Sequence, residues 1–509
     1  MNKHRVLVFI LIVTVALVVT TLNGVSAPVK LEQSEIDSMA GSVLRSYNLP
    51  GLTLAIVEGG QVTYSQGYGQ ADSTGRQMTP QTPITIGSVS KSFTALAILQ
   101  LVEQEKIDLD ESVVTYLPWF RTSEKARSDL ITVRHLLNQT SGLSNAIGLE
   151  LVYDRQPDYT FEQRLSNLSK YDLTRPAGEQ FEYSNTNYIL LGAVVEAVSG
   201  LSYADYLDQN IFSPLDMGNS TARLFDAQQN DMATGYYWWF GFPFSSETPW
   251  YQDSVPAGYI ISTAGDMGHY LIAQLNGGMY LGESVLSAEG IAEMQHGAIQ
   301  TGDGQSYGMG WVEGQVGNLA AVHHAGDAAG YTTTVILDPD QRIGVAVLAN
   351  ASSMLVSPPN TLATQIYQGL HNKTITKPGL TTTTLYLIVD LLVIGLTAWT
   401  IMAFIYLPRW WKRLGEWRQK GAGARLTRIF LPIVMDLLWP YILLGFIPQG
   451  AGFPMWRVLN VFQPDISYWL QVFAWASVGK GLIKMTLFFI FIRTHKPPSI
   501  ARALRRGSA

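Results

Sequence analysis

The pattern of hydrophobic and polar positions divides the chain into a mixed amino-terminal part and a strongly apolar carboxy-terminal part. Over residues 28–372, short β-rich runs alternate with stretches in which apolar residues recur at helical spacing. After a linker at residues 373–384, three long apolar segments are separated by basic loops. The pattern predicts a globular domain followed by a membrane part.

Two pairs of strands are predicted in the globular part. Residues 52–57 and 62–65 are β-rich runs joined by a Gly-Gly pair, which is typical of a hairpin. Residues 332–337 and 343–348 are two further runs joined by a polar turn. Residues 131–143 predict a helix that ends at a Ser-Gly stop.

The three apolar segments, residues 385–407, 429–447 and 466–492, are each long enough to cross a bilayer, which takes about 20 residues. The loop at 409–428 carries seven Lys or Arg and one Glu, and the tail at 493–509 carries five basic residues and no acidic one. Because positive loops stay inside the cell, we expect the globular domain outside the membrane and the tail in the cytoplasm.

Four charged residues fall within these apolar segments: Asp390, Asp436, Lys480 and Lys484. Charges in a membrane are costly and usually paired, so Asp436 is expected to meet Lys480 or Lys484, which lie at similar depth. A bundle stabilised by such a pair is preferred to a transport path.

The amino terminus has the layout of an export signal, with Lys3 and Arg5 before an apolar stretch and small residues at 25–27. Pro28 follows directly and is unfavourable for cleavage. Residues 1–27 are therefore predicted to be either a cleaved signal peptide or an uncleaved anchor.

Charge and cysteine content narrow the function. Residues 28–380 hold 17 Lys and Arg against 36 Asp and Glu, a net charge of −19, whereas the whole chain has −6. So acidic a domain is a poor candidate for binding nucleic acid. The chain has no cysteine, which excludes disulfides, thiol catalysis and thiolate metal sites without deciding the compartment.

A serine and a lysine three positions apart, Ser88 and Lys91, stand at the start of a predicted helix. Their spacing places them a turn apart on one face, which suits a nucleophile and its proton acceptor. The pattern alone is weak, because Ser477 and Lys480 repeat it inside an apolar segment. An ordinary helix start is the alternative interpretation.

Two further clusters carry candidate chemistry. Residues 183–185 precede an apolar helix, and a tyrosine there can act as a base if Lys91 lowers its pKa; a loop of capping residues is the alternative. Residues 323–326 precede a strand whose free N–H groups could stabilise an oxyanion. A metal site at this His pair is discounted, because adjacent strand residues point to opposite faces. His135 is interpreted as a core or capping histidine.

The motifs Ser88-Val89-Ser90-Lys91, Tyr183-Ser184-Asn185 and His324-Ala325-Gly326, in this order, resemble those of the penicillin-recognising serine hydrolases. The resemblance is to the branch of class C β-lactamases, D,D-peptidases and esterases, and it covers roughly residues 32–370. It implies an α+β fold, with an antiparallel β-sheet flanked by helices and an all-helical lobe. It also implies acyl transfer to serine followed by attack of water, with no metal or organic cofactor.

The resemblance implies a role for each matched residue. Ser88 would be the acylated nucleophile, Lys91 its partner, and Tyr183 the general base and acid. The substrate-binding positions would be Asn185, which contacts a substrate amide, His324 and Gly326 of the third motif, and Asp327, whose N–H forms an oxyanion hole with that of Ser88. His324 stands where the family more often has a lysine that helps to hold a substrate carboxylate, a replacement that similar peptidases and esterases also show.

These features predict a membrane-anchored extracytoplasmic serine hydrolase. A peptidase for D-amino-acid-containing or N-acylated peptides comes first, because the architecture resembles membrane-bound peptidases that remove an N-acyl-D-amino-acid group from secreted metabolites. An esterase or β-lactamase comes second, and a non-catalytic sensor of cell-wall fragments or lactams is the alternative of another class. The expected partners are a small peptide, ester or lactam substrate and the lipid bilayer.

The aromatic residues at 236–244 leave several interpretations open. They predict a buried edge, a contact with the membrane surface, or a pocket for an acyl chain or apolar side chain.

Overall fold

A computed structural model describes residues 31–153, 160–245, 248–451 and 454–494, and these residues form two compact units. The first unit runs to Tyr386 and includes residues 461–463. The second comprises Leu387–Asn460 and the residues from Pro464 onward. The export signal predicted at 1–27 and most of the basic tail lie outside the described residues.

The strands all belong to the first unit. In chain order they are β1 (Gly51–Glu58), β2 (Gln61–Gly69), β3 (Ile84–Thr85), β4 (Tyr236–Trp239), β5 (Phe242–Ser245), β6 (Ile261–Ser262), β7 (Met279–Tyr280), β8 (Glu283–Ser284), β9 (Ile299–Gln300), β10 (Ser306–Tyr307), β11 (Val312–Val316), β12 (Leu319–Ala328), β13 (Tyr331–Asp338) and β14 (Ile343–Ala349). Eight of them form one antiparallel sheet in the order β2-β1-β14-β13-β12-β11-β10-β9. The small pairs are β3 with β6, β4 with β5, and β7 with β8.

The helices are α1 (Gln33–Tyr47), α2 (Ser90–Glu103), α3 (Val113–Tyr116), α4 (Lys125–Ser128), α5 (Val133–Leu137), α6 (Asn145–Tyr153), α7 (Phe161–Leu165), α8 (Asn185–Ser199), α9 (Tyr203–Leu207), α10 (Leu224–Gln229), α11 (Val255–Gly258), α12 (Ala264–Leu275), α13 (Ala288–Gln295), α14 (Pro358–Leu370), α15 (Thr382–Ile405), α16 (Leu407–Arg418), α17 (Ala422–Arg425), α18 (Leu431–Tyr441), α19 (Ile447–Gly450), α20 (Met455–Phe462) and α21 (Pro464–Thr494).

Both predicted strand pairs are present in the large sheet. The turn between β1 and β2 contains Gly59 and Gly60 at φ values of 60° and 86°, where glycine is favoured. Strand β14 is buried along its whole length, because helices α12 and α14 both pack against it. This is why its sequence is a continuous apolar run rather than an alternating one.

Helices α2 and α8 pack together at the centre of the helical lobe. Residues 90–101 of α2 are all buried, so this helix is covered on every side rather than on one stripe. A helix in this position holds its amino-terminal residues rigidly, and it therefore also fixes the position of Ser88, which lies just before it.

The helix predicted at 131–143 is shorter in the structure. It is α5, and it ends before Gln139, which adopts a left-handed backbone with φ of 59°. His135 is a capping residue, as predicted: its Nδ1 accepts from the Thr132 backbone N–H at 3.2 Å, and its own N–H donates to Thr132 Oγ1.

A buried ion pair joins the helical lobe to the segment before α11. The guanidinium of Arg164 contacts the Asp253 carboxylate, and the two side chains are 2% and 3% exposed. Arg164 also donates to the backbone carbonyl of Leu151 at 3.2 Å. The pair therefore fixes the position of residues 252–258 relative to the lobe.

Replacing Arg164 with methionine is expected to lower the free energy of unfolding by about 3–5 kcal/mol, because it leaves a buried carboxylate without its cation. Chemical denaturation of the full chain in detergent measures this loss. The double variant Arg164→Met/Asp253→Leu should regain most of the stability. If the double variant were as unstable as the single one, the ion pair would not be the source of the effect.

Three helical segments are long and apolar enough to cross a membrane, and they lie wholly or mainly in the second unit. Among the residues that the structure describes, they are Thr382–Ile405, which begins in the first unit, Leu426–Gly450 and Pro464–Thr494. They agree with the three predicted segments. Residues Asn185–Ser199 and Tyr203–Phe212, taken together, are also long and apolar enough to cross a membrane, with a bend of 78° between them. They belong to the core of the first unit.

Asp436 meets the two lysines of the third segment, as predicted. Asp436 Oδ1 lies 3.0 Å from Lys480 Nζ, and Asp436 Oδ2 lies 2.8 Å from Lys484 Nζ. Gly481 allows this approach, since a Cβ there would lie 3.1 Å from the Cβ of Asp436. One carboxylate thus holds two lysines between α18 and α21.

Asp436→Asn is expected to destabilise the helical bundle by about 3–5 kcal/mol, because it leaves the buried Lys480 and the partly buried Lys484 without a counter-ion. The matched variant Lys484→Met keeps the pair between Asp436 and Lys480, so its loss should be smaller. Unfolding of the full chain in mixed micelles with increasing denaturing detergent gives both values. Equal stability of Asp436→Asn and the parent chain would contradict a stabilising role.

Candidate active site

The Ser88 hydroxyl lies next to the amine of a fully buried lysine. Ser88 is in a short 3-10 turn, Gly87–Val89, directly before α2, and Lys91 is in the first turn of that helix. Lys91 Nζ lies 3.1 Å from Ser88 Oγ. The side chain of Ser90 stabilises the turn, since its hydroxyl donates to the Gly87 carbonyl at 2.7 Å and accepts from the Ile260 N–H at 3.0 Å.

Lys91 Nζ has two further partners, both closer than Ser88. They are Asn185 Oδ1 at 2.7 Å and the Ala257 carbonyl at 2.6 Å. Lys91 is 0% exposed, and this burial lowers the pKa of its amine well below the ordinary value. A neutral amine can donate to these two oxygens and still direct its lone pair at the Ser88 hydroxyl.

Tyr183 lies close to both Lys91 and Ser88. Its ring centroid is 4.8 Å from Lys91 Nζ. Burial raises the pKa of Tyr183 well above the ordinary value, and a hydrogen bond with Ser88 opposes this only in part. The phenol is therefore neutral at ordinary pH and can donate a proton.

The loop after α5 positions the second motif. Gln139 accepts through its backbone carbonyl from the Glu182 N–H at 2.8 Å and through its side chain from the Ser184 N–H at 2.9 Å. The same side chain also accepts from the amide of Asn187. The left-handed conformation of Gln139 thus serves the segment that carries Tyr183 and Asn185.

The third motif approaches the Ser88 turn through backbone contacts. A Cβ at Gly326 would lie 2.1 Å from the Ile86 carbonyl oxygen and 2.9 Å from the Ser88 nitrogen, so only glycine fits. A Cβ at Gly87 would likewise meet the Asp327 nitrogen at 2.5 Å. The backbone nitrogens of Ser88 and Asp327 therefore lie close together, and an oxyanion hole requires two N–H groups that are close in this way.

His324 is buried beside Tyr183, with ring centroids 6.4 Å apart. Its Nδ1 donates to the Ala325 carbonyl at 2.6 Å, and Tyr307 Oη lies 3.4 Å from its Nε2. Burial lowers the pKa of His324 to about 3. The third motif therefore carries a neutral imidazole at this position.

His323 points away from His324 and contacts Gln305 Oε1 at 2.8 Å. Within the part of the chain that the structure describes, no three His, Asp or Glu side chains are grouped to hold a metal ion.

Asp327 carries a carboxylate at the open side of the cleft. Its side chain reaches solvent, yet the protein atoms around it desolvate the carboxyl and raise its pKa to about 6. A hydrogen bond with Thr332 opposes this shift. Above neutral pH the group is largely ionised.

A small recess of about 20 Å³ adjoins the site. It is lined by Asn185, Ser254, Ala257, Gly258, Tyr259, Asp327 and Ala328. A space of this size admits a group as large as one water molecule or a methyl.

The structure brings all seven predicted site residues together, although their individual roles stay predictions. It also adds three groups that the sequence did not indicate: the Ala257 carbonyl, the Ser90 hydroxyl and the Gln139 side chain. A backbone carbonyl has no side-chain signature, and Ser90 and Gln139 act through contacts with segments distant in sequence. Only the position of Ser90 within the first motif could have drawn attention to it.

The sequence profile of the beta-lactamase family matches residues 31–366, well over half of the chain. The chain belongs to the beta-lactamase family. Members of this family are serine hydrolases that act through an acyl-enzyme, and both the family and the fold predicted from the motifs are confirmed.

Comparison with individual proteins shows how far the similarity extends. Protein Flp of Staphylococcus aureus (strain MW2) is 28% identical over 333 residues, 64% of this chain and 64% of Flp, so the chain spans just under two thirds of that relative. Penicillin-binding protein 4* of Bacillus subtilis (strain 168) is 28% identical over 314 residues, 58% of this chain and 67% of that protein. The octameric penicillin-binding protein homologue from Pyrococcus abyssi superposes with a TM-score of 0.60 at 29% identity, covering 67% of this chain and 78% of that one.

The low pKa of His324 predicts a dependence of stability on pH. The imidazole stays neutral in the folded chain down to about pH 3, whereas it takes up a proton near pH 6.5 when unfolded. Stability is therefore lost as the pH falls below 6.5, by about 1.4 kcal/mol per pH unit until pH 3 is approached.

Thermal unfolding of the full chain in detergent at pH 7.5 and pH 4.5 tests this expectation. The drop in unfolding temperature should be smaller in His324→Gln, which has no group to titrate, with a difference in stability of about 2–3 kcal/mol. An identical drop in the variant would show that His324 is protonated in the folded chain.

Proposed function

We propose that this chain is a membrane-anchored extracytoplasmic serine hydrolase that acylates Ser88 and acts first on peptides with D-amino acids or N-acyl groups. The observation that carries the proposal is the 3.1 Å contact between Lys91 Nζ and Ser88 Oγ, in a chain of the beta-lactamase family. The three apolar helices support the anchoring, and the basic residues around them support the orientation.

Neutral Lys91 is the proton acceptor in the first step of this proposal. Ser88 Oγ attacks the carbonyl carbon of the substrate while its proton passes to Lys91 Nζ. The developing oxyanion accepts hydrogen bonds from the N–H groups of Ser88 and Asp327. Lys91 suits this role better than Tyr183. Burial favours the neutral form of each group, which is an amine that can accept a proton for Lys91 and a phenol that already carries its proton for Tyr183.

Tyr183 then serves as the proton donor. The bond between the carbonyl carbon and the leaving nitrogen breaks, and the leaving amine takes the phenolic proton, which Lys91 returns to Tyr183. Water attacks the Ser88 ester in the second half-reaction, yielding the carboxylic acid and free Ser88. The amide nitrogen of Asn185 remains available for the substrate, since its oxygen is used by Lys91.

The charges beside Ser88 favour a leaving group without a free carboxylate. The family's lysine is replaced by His324, whose pKa of about 3 keeps it neutral. Asp327 adds negative charge at the open side of the cleft. A carboxylate adjacent to the scissile bond would thus lack a cation in the third motif and would be repelled by Asp327.

The recess beside Asn185 and Asp327 supports a small side chain on the residue that acylates Ser88. Its volume of about 20 Å³ suits a methyl better than a larger group.

An esterase is the second candidate, because a neutral third motif accepts the uncharged alcohol of an ester as well as an amide. The sensor hypothesis predicts that a catalytic group is missing, whereas Ser88, Lys91 and Tyr183 are all present and adjacent.

Mass-spectrometric turnover of paired peptides by the full chain in detergent tests the proposal. N-acyl-D-Ala-D-Ala is compared with its carboxamide, which differs only in the terminal charge. The carboxamide should show the higher kcat/KM by about fivefold or more, equivalent to about 1 kcal/mol of charge repulsion.

Ser88→Ala should abolish turnover of both peptides, and Asp327→Asn should narrow the difference between them. Preferred cleavage of the free acid would overturn the charge argument. If neither the peptides nor the matching esters formed an adduct on Ser88, the hydrolase itself would be disproved.

A further inference from the structure

The aromatic residues at 236–245 form a hairpin with one buried and one exposed strand. In β4, Tyr236, Tyr237 and Trp238 are 2–7% exposed. In the paired strand β5, Phe242 is 72% and Phe244 is 54% exposed. A large exposed patch of this kind marks an interaction surface rather than a core edge.

This hairpin contacts Tyr386, a residue in the second turn of the helix that forms the first predicted membrane span. Gly241 at its tip packs so closely on Tyr386 that a Cβ there would lie 3.1 Å from the Tyr386 Cβ. Tyr386 Oη also donates to the Trp238 carbonyl at 3.4 Å. Tyr386 belongs to α15, the apolar helix Thr382–Ile405.

Gln463, the residue just before the third predicted span, also contacts Tyr386. Gln463 donates to Tyr386 Oη at 3.1 Å and accepts from the Ser353 hydroxyl at 2.6 Å. The next residue, Pro464, begins the apolar helix α21. Beside Ser353, Met354 and Leu355 are 49% and 47% exposed. Two independent passages of the chain therefore leave the first unit next to exposed apolar side chains.

We propose that these side chains contact the lipid bilayer, as a membrane-facing surface of the first unit. This aromatic face consists of Trp239, Phe242, Phe244, Met354 and Leu355. Aromatic side chains are favoured at the membrane interface, where their apolar bodies leave water. The proposal rests on the proposed membrane anchoring, because Tyr386 and Gln463 mark the interface only if α15 and α21 span the bilayer.

The absence of cysteine from the sequence allows a direct test, since each single cysteine variant of the full chain carries a unique thiol. Phe242→Cys is labelled with an environment-sensitive dye in phosphatidylcholine nanodiscs. Leu391→Cys, in the middle of α15, is the lipid-exposed control. Leu281→Cys is the aqueous control, since Leu281 is 82% exposed at the tip of the hairpin of β7 and β8.

The dye at position 242 should emit at shorter wavelength than the dye at 281. Lipids spin-labelled near the headgroup should quench the dye at position 242 several-fold more strongly than the dye at position 281. Phe242 is on the surface, so the variant should keep its Ser88 reactivity with a fluorophosphonate, which confirms folding.

Each other outcome overturns the inference in a distinguishable way. Aqueous emission at 242 with lipid quenching at 391 would show that the chain is anchored but the aromatic face is not on the bilayer. Aqueous emission at both positions would refute the anchoring as well. Self-quenching at 242 that depends on protein density, without lipid quenching, would assign the face to a second copy of the chain.

Discussion

The first unit depends on the accommodation of one buried amine, that of Lys91. Its three oxygen partners come from the turn before α2, from the start of α8 and from α11. A polar group buried without such partners would destabilise the fold, so these three elements must pack at the same point. The desolvation that makes these contacts necessary also lowers the pKa of the amine and prepares it to accept a proton. The need for these contacts and the lowered pKa of Lys91 thus have a common physical cause.

A second constraint is the contact between two backbones. Within β12, strand β11 pairs only with residues Leu319 to His323. Along the rest of β12, no other described strand pairs with the side of β12 that faces away from β13. The Ser88 turn occupies the space, and the absence of side chains at Gly87 and Gly326 permits the approach. Ser88 therefore lies at a sheet edge whose N–H groups are not all used by a neighbouring strand. This arrangement links the short length of β11 to the position of Ser88.

The sequence predicted elements whose cause is local and missed those whose cause is distant. Gly59 and Gly60 mark the first hairpin because their positive φ values favour glycine in any context. The helix from Val133 was predicted too long, because the left-handed Gln139 is stabilised by contacts with residues more than forty positions away. Ser88, Lys91 and Tyr183 could be assigned to one site only because the motifs occur in a known order along the chain. The Ala257 carbonyl could not be predicted, because a backbone carbonyl has no side-chain signature in the sequence.

The ion pairs of the two units show why the apolar segments were easier to interpret than the globular unit. In the apolar segments the low density of charges left few possible partners, so Asp436 could be matched with Lys480 and Lys484 from depth alone. In the globular part, 36 acidic residues were possible partners for Arg164, and its contact with Asp253 spans 89 positions. Solvation makes most of those carboxylates stable without a partner, so only the fold shows which of them is buried. The predictability of a charge pair therefore depends on how costly an unpaired charge is in its surroundings.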